Sequence, residues 1–275
     1  MKETSKERLI SALCAVASIG AFLLIWYLAC ALTALGKLLP DPATGYPAET
    51  DLLPDPVTVL VGMWGYITGT VGKCSLLMHA VHSLRRVLIG FVIGSAIGIS
   101  LGLLMGRYRL ARAIFNPIFR IIRPIPPIAW IPISIIWFGL GETPKIFLIT
   151  LAAFANTTLN AMTGAENVDI TTINAAKMLG ANEFQIFTTV VIPASVPSIF
   201  AGLQVGISCA WASVVAAEMV KASNGLGWII QAGMDNNNMT QILSGIIMIG
   251  LGGFVLTYIM RTIEGVACRW NKSGR

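Results

Sequence analysis

An all-α polytopic membrane protein with six crossing helices is the fold this sequence predicts, and two observations predict it. Hydrophobic residues make up 55% of the 275-residue chain and charged residues only 12%, about half the ~25% usual in soluble domains. Mean hydropathy is +0.76, more apolar surface than a soluble fold of this size can hide. Second, the apolar residues gather into runs near the ~20 residues that cross a bilayer as a helix. Lipid leaves backbone groups no outside partner, so such runs must be helical. A β-barrel would alternate over ~10-residue segments, and these runs do not alternate.

The expected spans are Leu9–Leu35, Val87–Gly106, Ile114–Gly139, Ile146–Gly164, Ala194–Val220 and Ile242–Met260. The first is longer than the ~7–15-residue apolar core of a signal peptide and is read as a retained helix. Lysine and arginine orient the set. Lys2, Lys6 and Arg8 precede the first span, Arg107, Arg109, Arg112, Arg120 and Arg123 follow the second, and Arg261, Arg269, Lys272 and Arg275 follow the sixth. Both termini are therefore expected in the cytoplasm, and the acidic 36–72 loop, with Asp41, Glu49, Asp51 and Asp55, outside. Arg85 and Arg86 fall on the outer side against this rule, where long basic side chains can snorkel to the interface. Read this way, the net charge of +6 reports membrane orientation, not a nucleic-acid partner.

Within the second span Gly90, Gly94, Gly98, Gly102 and Gly106 recur every four residues. That spacing lets a neighbouring helix approach closely, either in ordinary span packing or in contact with a second subunit. The third span contains "RPIPPIAWIP", with Pro124, Pro126, Pro127 and Pro132. Each proline removes a donor and clashes with the preceding turn. The stretch is either a proline-rich entry to the span or broken backbone, which at membrane depth must be buried in protein or line a cavity.

Catalytic and motor motifs are missing. "GKCS" at Gly72–Ser75 is not a phosphate loop, because Ile67 stands where a glycine is required and Cys74 where Ser or Thr would hold magnesium. The five cysteines Cys14, Cys30, Cys74, Cys209 and Cys268 include no C-x-x-C and read as small packing residues. His79 and His82 lack partners at metal-ligand spacing apart from Cys74, and read as interface histidines flanking the second span. Glu142, Lys145, Glu218 and Lys221 are the ionisable groups near the spans, close to their outer ends. Asn156, Asn160, Ser208, Trp211, Ser213 and, with less weight, Glu218 are the residues best placed to face a polar path; helix-to-helix hydrogen bonding is the other role open to them.

One segment no span can absorb is "INAAKMLGANEFQIFTTVVIPAS", Ile173–Ser195. Asp169 or Thr171 can cap a helix, and Gly180 suits the residue just past a helix end. Asn182 with Gln185 makes a capping arrangement for a second short helix. Phe184 and Phe187 are expected to share a face of that helix, and Pro193 and Pro197 to stop it and start the fifth span. The product is a bent pair of short helices on the cytoplasmic side, with apolar faces suited to a partner's groove.

This segment resembles the EAA loop of ABC-importer permeases, E-A-A, three residues, Gly, nine residues, I-x-L-P. Ala175, Ala176, Gly180, Val190, Ile192 and Pro193 fall in register, while Asn174 replaces the leading Glu and Ile192 the Leu. "RPIPPIAWIPISIIWFGLGETPKIFLI" and "VVAAEMVKASNGLGWIIQ" are similar to the nitrate/sulfonate/taurine group of these permeases. The resemblance runs from about His79 to Arg261. It implies one type I permease domain over 1–275, multi-pass in the bacterial cytoplasmic (inner) membrane. Asn174, Ala175, Ala176, Lys177, Gly180, Asn182, Phe184, Phe187 and Pro193 would couple it to an ATPase. It further implies a second copy of the chain, a cytoplasmic ABC ATPase dimer that carries ATP and magnesium, and an extracytoplasmic binding protein docking on Gln231–Gln241 and the 36–72 loop. The chain itself would hold no cofactor and do no covalent chemistry. The expected cargo is a small anion, a sulfonate such as taurine, with nitrate or bicarbonate as alternatives. A self-contained channel or secondary carrier is the competing class, and would show intramembrane charges and repeat symmetry.

Overall fold

The computed structural model describes residues 5–36, 53–220 and 222–268, and these are helical, without a strand element among them. The helices are α1 (Ser5–Gly36), α2 (Pro56–Thr68), α3 (Leu76–Arg107), α4 (Arg109–Ile122), α5 (Ile131–Phe138), α6 (Glu142–Glu166), α7 (Ile170–Met178), α8 (Glu183–Ile186), α9 (Ile192–Met219), α10 (Leu226–Asp235) and α11 (Met239–Ala267). A 3-10 turn, Pro127–Trp130, precedes α5, and a π-turn, Phe187–Val191, joins α8 to α9. The expected basic residues Lys2, Arg269, Lys272 and Arg275, most of the acidic loop, and Lys221 lie outside the described residues.

Four of these helices are long and apolar enough to cross a membrane, namely α3, α6, the continuous Glu183–Met219 and α11. A fifth span arises only if α4 and Pro127–Phe138, bent by 87°, count as one. The six expected spans fall on these four helices, the bent pair and α1. The third span breaks, because Pro124, Pro126 and Pro127 deny the helix its donors. The first lies in α1, whose apolar run is Val16–Leu32. The second begins eleven residues earlier than expected, at Leu76 and not Val87.

The chain forms two compact units, Met1–Leu76 with Ile230–Gly245, and Leu77–Ile229 with Ile246–Arg275. In the first, part of the expected 36–72 loop is helix. Asp55 caps α2 through the amides of Val57 and Thr58, both at 3.1 Å, and Pro56 opens it where a missing N–H costs nothing. Asn238 donates to the Tyr66 hydroxyl at 3.1 Å, and its side chain caps the amide of Gln241 at 3.0 Å.

The second unit is built on small residues. A Cβ added at Gly90, Gly94, Gly98, Gly102 or Gly106 would run into α6, meeting Ile149, Ala153, Phe154 O, Ala161 and Ala165 in turn. The ladder is therefore the α3–α6 seam of one chain, which settles its role as packing within the fold. Gly164, Gly202 and Gly206 do the same between α6 and α9, against Ser198, Asn160 and Thr157. Lipid tails are as apolar as leucine, so close van der Waals approach holds these helices together. α11 is held to α9 by Trp211, whose indole lies on Gly252 and Gly253 and donates to Ile249 O at 3.0 Å.

Candidate functional site

α7 and α8 form the bent pair the sequence predicts, and local hydrogen bonds shape it. The Asp169 carboxylate accepts the Thr171 amide at 2.9 Å and also the Thr171 hydroxyl. These bonds hold its pKa below the usual carboxylate range. At the other end Gly180 N–H reaches Lys177 O and Ala181 N–H reaches Ala176 O, the paired closure of a Schellman turn. Gly180 sits at φ +82°, in the left-handed region that a side chain disfavours. α8 opens on a complete capping box, in which Gln185 N donates to Asn182 Oδ1 and Asn182 N to Gln185 Oε1, both at 2.8 Å. Asn182→Ala should cost the turn about 1 kcal/mol, read as faster hydrogen exchange at the Gln185 amide. Unchanged exchange there would mean the box does not hold the turn.

One side of this knob is bolted down. Ile173, Ile186 and Val191 are buried with Leu103, Ala161, Ala165 and Ile199. Glu183 pairs with Arg107 at the end of α3 and with Lys177 at 3.0 Å. The other side is bare. Met178 and Leu179 are each 89% exposed and Phe184 73%. Of the nine residues assigned to the knob, Asn174, Ala175, Lys177, Gly180, Asn182, Phe184 and Pro193 are exposed. Ala176 and Phe187 instead pack on the buried cluster, and Phe187 also lies 5.8 Å from the Tyr108 ring. So Phe184 and Phe187 do not share an outward face. Three helical steps leave them about 60° apart, enough at the rim of a packed face to turn one in and the other out. Nor does Pro193 stop the helix. It lies in the first turn of α9, where the π-turn before it absorbs the missing donor, and Glu183–Met219 runs on as one segment. Met178 and Leu179 are surface residues that helical spacing did not single out.

The broken span lines a cavity of about 310 Å³. α4 supplies Phe119, the bend Arg123, Pro126, Pro127 and Trp130, α6 Phe154 and Asn156, and α9 Cys209 and Ser213. Of the two readings of the proline stretch, this is the cavity-lining one. Of the six residues named for a polar path, Asn156 and Ser213 line this cavity. The other four do not. Asn160 folds back onto Asn156 O at 2.9 Å and Ser208 onto Gln204 O at 3.0 Å, because a short polar side chain in a helix finds the carbonyl one turn back. Trp211 is spent on α11, and Glu218 is fully buried elsewhere. Arg123, counted in the sequence among the basic residues that orient the spans, is part of the cavity wall.

Glu218 belongs to a buried ion cluster. Arg86 bridges Glu142 (Nε–Oε2 2.5 Å) and Glu218 (Nη1–Oε1 2.6 Å). Lys145 pairs with Glu142 at 3.1 Å, so two cations face two carboxylates. Ser83 Oγ donates to both Glu218 oxygens, at 2.8 and 2.7 Å. The Gly227 amide adds a third donor at 3.1 Å. Arg86 is 3% exposed and does not snorkel; its partners lie 56 and 132 residues away, beyond the reach of a loop-charge count. His79 is likewise no interface residue. It is buried, stacks on Trp228 at 5.1 Å, and its Nδ1 accepts the Gly225 amide at 2.9 Å.

Against known proteins, residues 94–265 match the family described as the binding-protein-dependent transport system inner membrane component. A protein of Methanocaldococcus jannaschii described as a candidate ABC transporter permease is 43% identical over 74% of this chain and 77% of its own. The taurine transport system permease protein TauC of Escherichia coli is 31% identical over 93% of this chain and 89% of its own. The nitrate import permease protein NrtB of Synechocystis is 30% identical over 90% and 86%. A chain of the MetNI methionine ABC transporter, solved in inward-facing conformations, shares the fold. Its TM-score is 0.62 at 20% identity, over 70% of this chain and 95% of its own.

Proposed function

Because the chain belongs to the family of binding-protein-dependent transport system inner membrane components, we propose that it is the permease subunit of an ATP-driven importer for a small anion, a sulfonate such as taurine. The whole of 1–275 then serves as one permease domain in the inner membrane, paired with a second copy, both termini in the cytoplasm. A separate ABC ATPase dimer supplies hydrolysis of ATP with magnesium, and an extracytoplasmic binding protein supplies cargo. The observation that carries the coupling is the two-sided knob. Its inner side is locked to the ends of α3, α6 and α9 by Ile173, Ile186 and Val191, while Met178, Leu179 and Phe184 stand in the open. A push on the bare side is thus transmitted to three long helices, as a rigid-body switch requires. Asn156 and Ser213, at the cavity, are the path residues kept in this reading.

Reconstitution with the cognate ATPase and binding protein tests it. Leu179→Asp with Phe184→Asp should leave membrane insertion intact and weaken ATPase binding roughly 30-fold or more, the ~2 kcal/mol scale of a contact hot spot. ATP-dependent uptake should fall with it. Uptake by this chain alone in liposomes, with neither ATPase nor ATP, would overturn the proposal. The relatives named for taurine and for nitrate bracket the cargo, and thermal stabilisation of the binding protein by one compound over the other decides between them.

A further inference from the structure

The cavity at the bend is chemically lopsided. Phe119, Trp130 and Phe154 make much of its wall, with Arg123, Asn156 and Ser213 as the polar side chains. Pro126 and Pro127 in the same wall bring no N–H. The side-chain donors that can meet a ligand are the Arg123 guanidinium, the Ser213 hydroxyl, the Trp130 indole N–H and the second N–H of Asn156, whose first is given to Ala152 O at 3.0 Å. About 310 Å³ lies at the small end of ligand pockets, which run ~300–1,000 Å³.

We propose that this cavity is a ligand site within the permease, and that it takes an amphipathic organic anion: one anionic head on Arg123, and a short alkyl or aryl body against Trp130 and Phe154. The inference rests on the importer reading above and narrows its cargo to organic anions. A bare oxyanion such as nitrate could use those side-chain donors but would leave the apolar wall of Phe119, Leu151 and Phe154 without a partner. An organic cation would find the aromatic faces it favours, but with a guanidinium beside them. An anion with an apolar body uses both halves of the wall, since guanidinium suits sulfonate and carboxylate oxygens alike.

Cys209 lies in the same wall and is a free thiol, so the native chain carries its own reporter. The assembled importer in nanodiscs is treated with a small neutral methanethiosulfonate, and the Cys209 peptide is followed by mass spectrometry. Butanesulfonate, nitrate and butylammonium are the probes. At about ten times its dissociation constant a bound probe slows labelling roughly tenfold, by occupancy alone. Butanesulfonate should do so, while nitrate and butylammonium at the same concentration leave the rate within about twofold. Arg123→Gln should abolish the protection and leave labelling of the unliganded chain unchanged. No protection by butanesulfonate, equal protection by nitrate or butylammonium, or protection that survives Arg123→Gln overturns the proposal. So does a Cys209 that never reacts, since the cavity would then be closed to solutes. ATP-driven uptake by the unlabelled importer is measured separately. Uptake without protection sinks the site and leaves the importer reading standing; no ATP-driven uptake sinks that reading itself.

Discussion

Arg86→Met should remove most of the folded protein from the membrane. It would leave the Glu218 carboxylate fully buried with only Ser83 and the Gly227 amide as donors. Breaking a buried pair by removing one partner costs ~3–5 kcal/mol, a large part of the ~5–15 kcal/mol that holds a domain together. Glu142 is half exposed and keeps Lys145, so the loss falls at Glu218. The double change Arg86→Met with Glu218→Gln should recover more than half of it, because the neutral amide no longer needs a counter-charge. In detergent the single variant should lose on the order of 10 °C of melting temperature, with poor monodisperse yield, and the double variant should regain most of both. A single variant that melts like the parent would mean the cluster does not hold this end of the fold. Gly225 is tied to the same cluster. At φ +116° its Cβ would point into the Glu218 carboxylate, so the loop closes over the charge only with glycine there.

That cluster also explains where sequence reading stopped. Hydropathy placed the second span at Val87, because His79, Ser83 and Arg86 count as polar losses. In the fold each has a buried partner, on α9, at the start of α6 or in the 224–226 turn, and α3 runs back to Leu76. Partners 56 to 146 residues away leave no local pattern. The knob was legible for the opposite reason. The Asp169 cap, the Gly180 closure and the Asn182–Gln185 box all bond within five residues, so residue type and spacing suffice. What failed there was the side each aromatic takes. Whether Phe184 or Phe187 turns inward depends on Tyr108 and the end of α3, which the segment itself does not contain. The prolines announced a break in the third span but not its 87° angle, nor that the break encloses a cavity with Arg123 in its wall.

A graded series on the glycine ladder should have the largest effect of all. At Gly98 an added Cβ meets Phe154 O at 2.9 Å and Thr158 Oγ1 at 3.1 Å, and lies closer still to Thr157 Oγ1. At Gly102 it meets Ala161 Cβ at 2.8 Å and Met162 N at 3.0 Å. Much of what it strikes is α6 backbone, which cannot rotate aside, so α3 must lift from α6 along its length. Gly98→Ala should cost ~1–3 kcal/mol, the usual scale of overpacking, and Gly98→Leu should give no folded monomer. Gly250, in α11, has nothing within 4 Å of its Cβ position. There alanine should be neutral or stabilising by up to ~1 kcal/mol, the helix-propensity difference alone. Melting of the monomeric fraction in detergent separates this account from the other role the four-residue spacing allows. If the ladder served contact between two copies, Gly98→Ala would lower the dimer fraction and leave monomer melting where it was. A seam inside one chain requires the monomer itself to melt lower, and Gly98→Leu to fail before any dimer can form.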